Sequence, residues 1–263
     1  MIFAFSLKGR DYAFTYMLLS FFIWPDFAHR DIPGIAEERI LRKLRHVDYK
    51  HYNAILKAIN RKGEVDYAKL HTFRDRLREV IHYFQSIDIS TLASAEERLC
   101  LYINLYNAVV LYQVVLYYPI VSVMENFPAG NFFENLFYFR KQKISLNYLE
   151  HEIIRKEFKN PYVHFALNCA SQSCPILEEV AWTPQNLLKR FQKAARRYLR
   201  DNRHAHYNSS QNKLYLSELF RWYETDFGNL REFYEKHTGQ KIPPTASIEF
   251  LPYNWSLNDH KKN

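Results

Sequence analysis

The sequence contains little glycine and proline, with 6 and 10 residues in a chain of 263. It has no internal repeat and no low-complexity stretch, so long disordered segments are not expected. Cysteine is also scarce, with 3 residues. Cys100 lies alone in an apolar helical pattern and is expected to be a buried small hydrophobic residue. The other two, Cys169 and Cys174, lie close together in the chain.

Hydrophobic residues make up 48% of the chain, which is enough for one large domain with its own core. Tyr and Phe are abundant, with 20 residues each. Part of this aromatic content belongs to the core. The tyrosines can also line a cleft, because each phenol combines a flat apolar wall with a polar tip.

The formal charge is +8, from 36 basic and 28 acidic residues, and the basic residues cluster in 39–45 and 189–203. A basic helix face can attract nucleic acid or an anionic membrane. A solvated helix face is the simpler interpretation. No zinc-finger or RNA-recognition signature is visible, so we predict no specific nucleic-acid partner.

Residues 1–33 form an apolar N-terminal segment in which Lys8 and Arg10 precede the apolar run 12–24. A basic flank before such a run resembles the first two parts of a secretory signal, although the cleavage region is poor. The run is too short for a comfortable transmembrane span. We therefore predict an exported or membrane-associated protein, with an extra buried helix in a cytoplasmic protein as the alternative. Residues 34–263 are predicted to form a single domain.

Hydrophobic periodicity and capping signals predict an α+β fold, in which helices pack around a small, mainly antiparallel sheet. The central helix is expected at about 94–118, buried on almost every face and started by the capping-box pair Ser94 and Glu97. The other predicted helices are 35–45, 49–60, 66–86, 148–157, 184–201, 219–227 and 229–237. The predicted strands are 137–139, 144–146, 163–168, 214–216 and 248–251.

Asn104 and Asn107 interrupt the apolar central helix and lie three residues apart, on one face. Buried amides must be hydrogen-bonded, so they either hold a neighbouring loop or point into a site. The first role is the commoner one.

The segment from His164 to Pro175 carries the densest set of chemically capable side chains. On the predicted strand, His164 and Asn168 share one face, and a loop with Cys169 and Cys174 follows. A short helix beginning at Pro175 would place Cys174 beside a helix N-terminus, where the dipole lowers the pKa of a thiol.

Three interpretations of this segment stay open. One cysteine is a nucleophile, with His164 or His151 as base and Asn168 or Glu150 as the orienting group. Alternatively, the cysteines and histidines bind a metal, although the cysteine spacing is wide for zinc. The simplest interpretation is a local disulfide that staples the loop. Glu150 also has an ordinary role, as capping partner of Asn147.

Several segments together resemble the domain-of-unknown-function family 547, and the resemblance extends from about Val47 to Asp259. One departure is Leu101-Tyr102, where the family usually has Phe-Trp. The chain shows no heptad run of the kind that begins a coiled coil, and in this respect it resembles the bacterial stand-alone members. The resemblance implies no established activity. The segments that carry it are 63–70, 96–113 (EERLCLYINLYNAVVLYQ), 144–155, 162–177 (YVHFALNCASQSCPIL), 214–227 and 250–259. The recurring polar residues of the family correspond to Asn104, Asn107, Glu150, His151, His164, Asn168, Cys169, Ser173 and Cys174.

Two functions follow as hypotheses. The first is a thiol-dependent hydrolase or acyl transferase that acts on an unknown small-molecule or peptide substrate with an amide-like bond. In it, Asn104 and Asn107 position the substrate or stabilise an oxyanion, and no cofactor or metal is needed. The second is a non-catalytic binding or scaffold module, in which Cys169 and Cys174 form a structural disulfide or a metal site.

Overall fold

The computed structural model describes residues 46–125 and 131–262. The predicted N-terminal segment and the helix at 35–45 lie outside these residues and stay predictions. The described residues form an α+β fold in which helices surround small sheets of two and three strands. The predicted fold class is therefore confirmed.

The central helix runs from Ala95 to Tyr117, as the sequence predicts. The Ser94 hydroxyl accepts a hydrogen bond from the Glu97 backbone N–H at 3.1 Å and starts the helix. By length and composition this helix could cross a membrane, but its most apolar stretch is 94% buried inside the protein. It is the spine of the hydrophobic core, and the segments Tyr67–Thr72, Arg74–Ser86 and Tyr148–Ile154 pack against it.

The helices on the N-terminal side of this spine differ from the predictions in one place. Lys50–Ile59 forms the first helix. The stretch 66–86, predicted as one helix, is divided into Tyr67–Thr72 and Arg74–Ser86. Phe73 leaves the helical conformation, and its backbone N–H bonds to the carbonyl of Leu70 at 2.8 Å, which closes the first helix early.

The strands form three separate small sheets. The first two are antiparallel hairpins, and the predicted hairpin at 137–146 is the second of them. In the third sheet the strand order is β5-β6-β7, with β5 antiparallel and β7 parallel to β6. The strands are β1 (Asn60–Arg61), β2 (Glu64–Val65), β3 (Phe137–Phe139), β4 (Gln142–Ile144), β5 (Ala205–Asn208), β6 (Lys213–Ser217) and β7 (Ser247–Leu251).

The strand predicted at 163–168 is wrong: Pro161–Phe165 is a 3-10 helix. Asn160 caps it by accepting the Tyr162 backbone N–H at 2.9 Å, and Pro161 occupies its first turn. Phe165 is fully buried in an aromatic cluster. Tertiary packing of this ring and the Asn-Pro start signal override the apparent alternation.

The helix predicted at 148–157 consists of a π-helix, Tyr148–Ile154, continued by an α-helix, Arg155–Phe158. The predicted capping pair is wrong, because the Asn147 side chain makes no cap hydrogen bond and instead donates to the Glu134 carboxylate. Glu150 is therefore left available for another partner. π-helical turns are frequent at functional sites.

Residues 131–262 contain four further α-helices and end with a 3-10 helix, His260–Lys262. The predicted helix at 184–201 is shorter, and the one predicted at 219–227 is divided at Tyr223. Residues 175–186 contain no helix, so the short helix expected at Pro175 is absent from the described structure. The helices are Leu187–Leu199, Glu218–Trp222, Glu224–Phe227 and Leu230–Thr238.

Candidate functional site

Cys169 and Cys174 lie in one loop, residues 168–175, which we call the thiol loop. Both are free thiols, not the disulfide that the sequence favours. The backbone N–H of Cys169 donates to the Cys174 sulfur at 2.8 Å, and a turn closed by Cys174 N–H on the Ser171 carbonyl (3.2 Å) brings the two residues together. Cys169 is half-buried and Cys174 is buried. No helix dipole acts on Cys174, because no helix begins at Pro175.

The surroundings of the two sulfurs separate their pKa values. The Cys169 sulfur lies 3.0 Å from the Ser171 hydroxyl and 3.3 Å from the Tyr253 hydroxyl. Burial raises the pKa of Cys169, but hydrogen bonds from Cys174, Ser171 and Tyr253 stabilise the thiolate and lower this pKa to about 7. Burial raises the pKa of Cys174, and its hydrogen bond to Cys169 raises it further. Cys169 is therefore the thiol that ionises first.

A segment that follows β7 holds the thiol loop in place from one side. Ser173 N–H donates to the Asn254 carbonyl at 3.1 Å, and Asn254 N–H donates to the Ser173 hydroxyl at 2.9 Å. Asn258 N–H donates to the Ala170 carbonyl at 3.0 Å. Ala170 has a φ of +63°, an uncommon conformation for a residue with a Cβ. The loop is thus a fixed structure of defined shape.

Asn168 and Asn107 connect this loop to the central helix. The Asn168 amide donates to the Pro175 carbonyl at 2.8 Å and accepts the Ala170 N–H at 3.1 Å. The Asn107 amide donates to the Ala166 carbonyl at 2.9 Å and accepts the Asn168 N–H at 2.8 Å. In both side chains the amide nitrogen donates to a backbone carbonyl and the amide oxygen accepts from a backbone N–H, so each side chain holds two points of the backbone.

Asn104 has the same kind of role at a different place. Its amide donates to the Trp182 carbonyl at 2.8 Å and accepts the Trp182 N–H at 2.9 Å. The two buried amides of the central helix therefore hold two loops, which is the commoner of the roles expected for them. Because these hydrogen bonds occupy both ends of each amide, the arrangement favours loop positioning over contact with a substrate.

His164 belongs to a buried network of charged groups. Its Nε2 lies 2.7 Å from Asp226 Oδ2, and its ring stacks on Tyr223 with 3.9 Å between the ring centroids. Asp226 also accepts two hydrogen bonds from the Arg155 guanidinium, at 2.7 and 2.9 Å. Burial raises the pKa of Asp226, but hydrogen bonds from His164 and Arg155 hold this pKa well below its usual range. The carboxylate thus stays charged and fixes the imidazole.

Glu150 and His151 join the same network. The Tyr223 hydroxyl donates to Glu150 Oε1 at 2.7 Å, and His151 Nδ1 lies 3.0 Å from Arg155 Nη1. Burial raises the pKa of Tyr223, and the negative charges of Glu150 and of Cys169 raise it further. Only three residues separate His164 from Asn168, the first residue of the thiol loop, so the loop and the His164 network are neighbours along the chain.

The structure therefore places the predicted site residues in two adjacent groups. Cys169, Cys174 and Asn168 form the thiol loop, whereas His164, His151 and Glu150 are in the charged network. Among the described residues, no hydrogen bond links either histidine to a sulfur. In residues 46–125 and 131–262 there is also no group of three or more His, Cys, Asp or Glu side chains arranged to hold a metal ion.

Residue reasoning missed the partners that give these groups their properties. Three of them lie far along the chain from the side chains that they contact: Tyr223 is 73 residues from Glu150, Tyr253 is 84 residues from Cys169, and Asp226 is 62 residues from His164. The other two are close in sequence to their partners, His151 and Cys169. All five lie in segments that carry the family resemblance, which is the signal that could have found them. The missed residues are Arg155, Ser171, Tyr223, Asp226 and Tyr253.

Trp222, Tyr253 and Trp255 form an aromatic cluster that reaches the Cys169 thiol through the Tyr253 hydroxyl. The Tyr253 ring is 4.8 Å from Trp222 and 4.5 Å from Trp255, and the two indoles stack at 5.5 Å. All three side chains are half-buried, so each offers an exposed part of its ring. Such a surface can hold an apolar or planar group of a ligand next to the sulfur.

Comparison with known proteins assigns the central part of the chain. Residues 89–199 match the family model described as "Protein of unknown function, DUF547". No curated protein and no solved structure matches the chain. The matched residues include the central helix, Glu150, His164 and the thiol loop, whereas Tyr223, Asp226 and Tyr253 follow them in the sequence. The chain therefore contains a domain of the DUF547 family.

Proposed function

We propose that this protein is a thiol-dependent hydrolase or acyl transferase that acts on a peptide or amide-like substrate, with Cys169 as the nucleophile. The observation that carries the proposal is the half-buried Cys169 thiol, which hydrogen bonds from Cys174, Ser171 and Tyr253 bring to a pKa of about 7 against the effect of burial. A free cysteine has a pKa of about 8.5, so about 3% of it is thiolate at neutral pH, against about half of Cys169.

The thiolate would attack the carbonyl carbon of the substrate and form a thioester, releasing the amine or alcohol of the substrate. Water or another acceptor would then attack the thioester and regenerate the thiolate. Because about half of Cys169 is already thiolate at neutral pH, this scheme needs no base at the sulfur. It does need a proton for a departing amine.

His164 is suited to supply that proton. Asp226 accepts from Nε2 and fixes the ring, so the proton for the amine would come from Nδ1 of the doubly protonated ring, which would be left neutral with its proton on Nε2 and be reprotonated from the water that hydrolyses the thioester. The stacked Tyr223 ring keeps the imidazole in one orientation. His164 would therefore act on the leaving group, which is consistent with the absence of a hydrogen bond between this residue and Cys169 among the described contacts.

The substrate class follows from the surface beside the sulfur. The half-buried rings of Trp222, Tyr253 and Trp255 favour an apolar or aromatic group next to the carbonyl that is attacked.

The test uses an activated ester, p-nitrophenyl acetate, under reducing conditions, with release of nitrophenol and mass spectrometry as readouts. We expect a burst of nitrophenol and one acetyl group on Cys169. The Cys169→Ala variant should lose the burst by about 100-fold or more, whereas Cys100→Ala, in the fully buried part of the central helix, serves as the matched control and should keep it.

A second variant separates the role of His164. Because nitrophenolate leaves without a proton, His164→Gln should keep the ester burst but lose turnover of an anilide, whose amine must be protonated. An undiminished burst in Cys169→Ala, or acetyl groups only on other residues, would refute the proposal and would favour a non-catalytic binding module.

A further inference from the structure

The two thiols of the loop differ in the way that a thiol–disulfide exchange centre requires. Cys169 is half-buried with a lowered pKa, whereas Cys174 is buried with a raised one. In such centres the more exposed, more acidic thiol attacks a disulfide, and the second thiol resolves the mixed disulfide. In acyl transfer at Cys169, Cys174 supplies a hydrogen bond to the thiolate but takes part in no covalent step.

The two sulfurs are also within reach of each other. Cys174 Sγ lies 2.8 Å from the backbone nitrogen of Cys169, which is only a few covalent bonds from the Cys169 sulfur. The residues are five apart in the chain, joined by a loop that already turns back on itself. The turn therefore already brings the two side chains into hydrogen-bonding contact, which is the proximity that a disulfide between them requires.

We propose that Cys169 and Cys174 form a redox-active dithiol, which reacts with disulfide compounds and closes reversibly to an intramolecular disulfide. This activity goes beyond the proposed acyl transfer and does not depend on it.

The reaction balances as two exchanges. The Cys169 thiolate attacks one sulfur of a disulfide, a Cys169–substrate disulfide forms, and the first thiolate leaves and takes up a proton. Cys174 loses its proton and attacks the Cys169 sulfur; the Cys169–Cys174 bond forms, and the second thiol leaves. The protein loses two protons and two electrons, and the disulfide compound takes them up and is reduced to two thiols.

Asn168 prepares the loop for ring closure. Its amide joins Ala170, just after Cys169, to Pro175, just after Cys174, through hydrogen bonds of 3.1 and 2.8 Å. Because the two cysteines are held together before the bond forms, little chain entropy is lost on closure. Asn168 is a positioning residue for this step and does not touch the disulfide compound.

Oxidation would also affect the proposed function, because a Cys169 sulfur in a disulfide carries no thiolate. If both proposals hold, the disulfide state is the inactive state of the acyl-transfer site.

The experiment treats the reduced protein with glutathione disulfide and follows the products by intact-protein mass spectrometry, with and without a maleimide tag. The wild type should lose two hydrogens and retain no glutathione, and dithiothreitol should restore it. Cys174→Ala should retain one glutathione on Cys169. Cys169→Ala should react at least tenfold more slowly, because the remaining loop thiol is buried. Cys100→Ala is the matched control and should behave as the wild type does. Circular dichroism of each variant confirms that it is folded.

Retention of glutathione by the folded wild type would overturn the inference, as would equal reactivity of the two single loop variants or no reaction at all. Asn168→Leu supplies a second readout: if it is folded, it should accumulate the mixed disulfide that the wild type resolves. The two proposals fail separately. Acetylation of Cys169 without disulfide formation in the wild type refutes only the dithiol, and disulfide formation without acetylation refutes only acyl transfer.

Discussion

Replacement of Tyr253 by phenylalanine tests the origin of the thiol's acidity. The substitution removes the hydroxyl that lies 3.3 Å from the Cys169 sulfur and keeps the ring that packs on Trp222 and Trp255. A hydrogen bond to a charged group contributes about 1.5 kcal/mol at the lower end of its range, and one pKa unit corresponds to about 1.4 kcal/mol. Since Ser171 and Cys174 still stabilise the thiolate, we expect the pKa of Cys169 to rise from about 7 to about 8.

The reaction rate with dipyridyl disulfide, measured against pH as release of the first pyridine thione, reports this change. At pH 7 the thiolate fraction should fall from about a half to about a tenth, while each thiolate becomes about threefold more nucleophilic. The variant should therefore react about twofold more slowly at pH 7 and about threefold faster on the alkaline plateau. The pH–rate profiles of wild type and variant should cross at about pH 7.5.

The matched control is Tyr207→Phe, because the Tyr207 hydroxyl donates to Asn212 at 2.9 Å and not to the thiol loop. It should leave the profile of Cys169 unchanged. A wild-type Cys169 with the ordinary pKa of about 8.5 would contradict this account. So would a Cys169 pKa in Tyr253→Phe that lies within a few tenths of a unit of the wild-type value.

Three further predictions concern stability, measured by urea unfolding. Asp226→Asn should lower the free energy of unfolding by about 1–3 kcal/mol at pH 7. Because the folded-state pKa of this carboxyl is depressed, its contribution to stability is present above about pH 4 and is lost as the pH falls below that value. The stability difference between variant and wild type should therefore be smaller at about pH 3 than at pH 7, and an equal difference would contradict this. Asn107→Leu and Asn104→Leu should each cost about 2–5 kcal/mol by leaving two buried backbone groups unpaired, but only Asn107→Leu should shift the pKa of Cys169, since only that amide holds the thiol loop. Gly63→Ala should lower the free energy of unfolding by about 2–4 kcal/mol, because φ is +105° and a Cβ would lie 2.7 Å from the Ile176 side chain. Gly239→Ala, at φ +78° with open space around the position, should lower it by only about 1 kcal/mol. Equal losses of stability in the two variants would show that the close contact at Gly63 is unimportant.

The parts of the fold that sequence patterns predicted are those determined by nearby residues. The central helix has apolar residues on every face and a Ser94 cap three residues from its partner, so its start and its burial follow from a short stretch of chain. The hairpin at 137–144 is similarly local. The strand predicted at 163–168 was wrong because a short apolar run with alternation fits a strand as well as a buried helical turn. The packing of Phe165 decides between these two conformations.

The sequence singled out the thiols and histidines of the candidate site, but it did not predict which side chains they contact in the fold. Glu150 illustrates the reason: its nearest sequence partner predicted a helix cap, whereas in the fold it accepts from Tyr223, which is 73 residues away. Cys169 likewise owes its acidity partly to Tyr253. Such pairs depend on how the whole domain is packed, which periodicity along one segment does not specify.

The long separation of Tyr253 from Cys169 has a consequence for the growing polypeptide. The hydroxyl is synthesised 84 residues after the thiol, and a ribosome that adds roughly 5–20 residues per second needs roughly 4–17 s to reach it. Throughout this interval Cys169 lacks one of its thiolate donors, and the thiol loop lacks the backbone partners that Asn254 and Asn258 supply. A nascent chain therefore carries a more ordinary, less ionised thiol. The complete set of hydrogen bonds around Cys169 can therefore form only after translation has passed the third sheet.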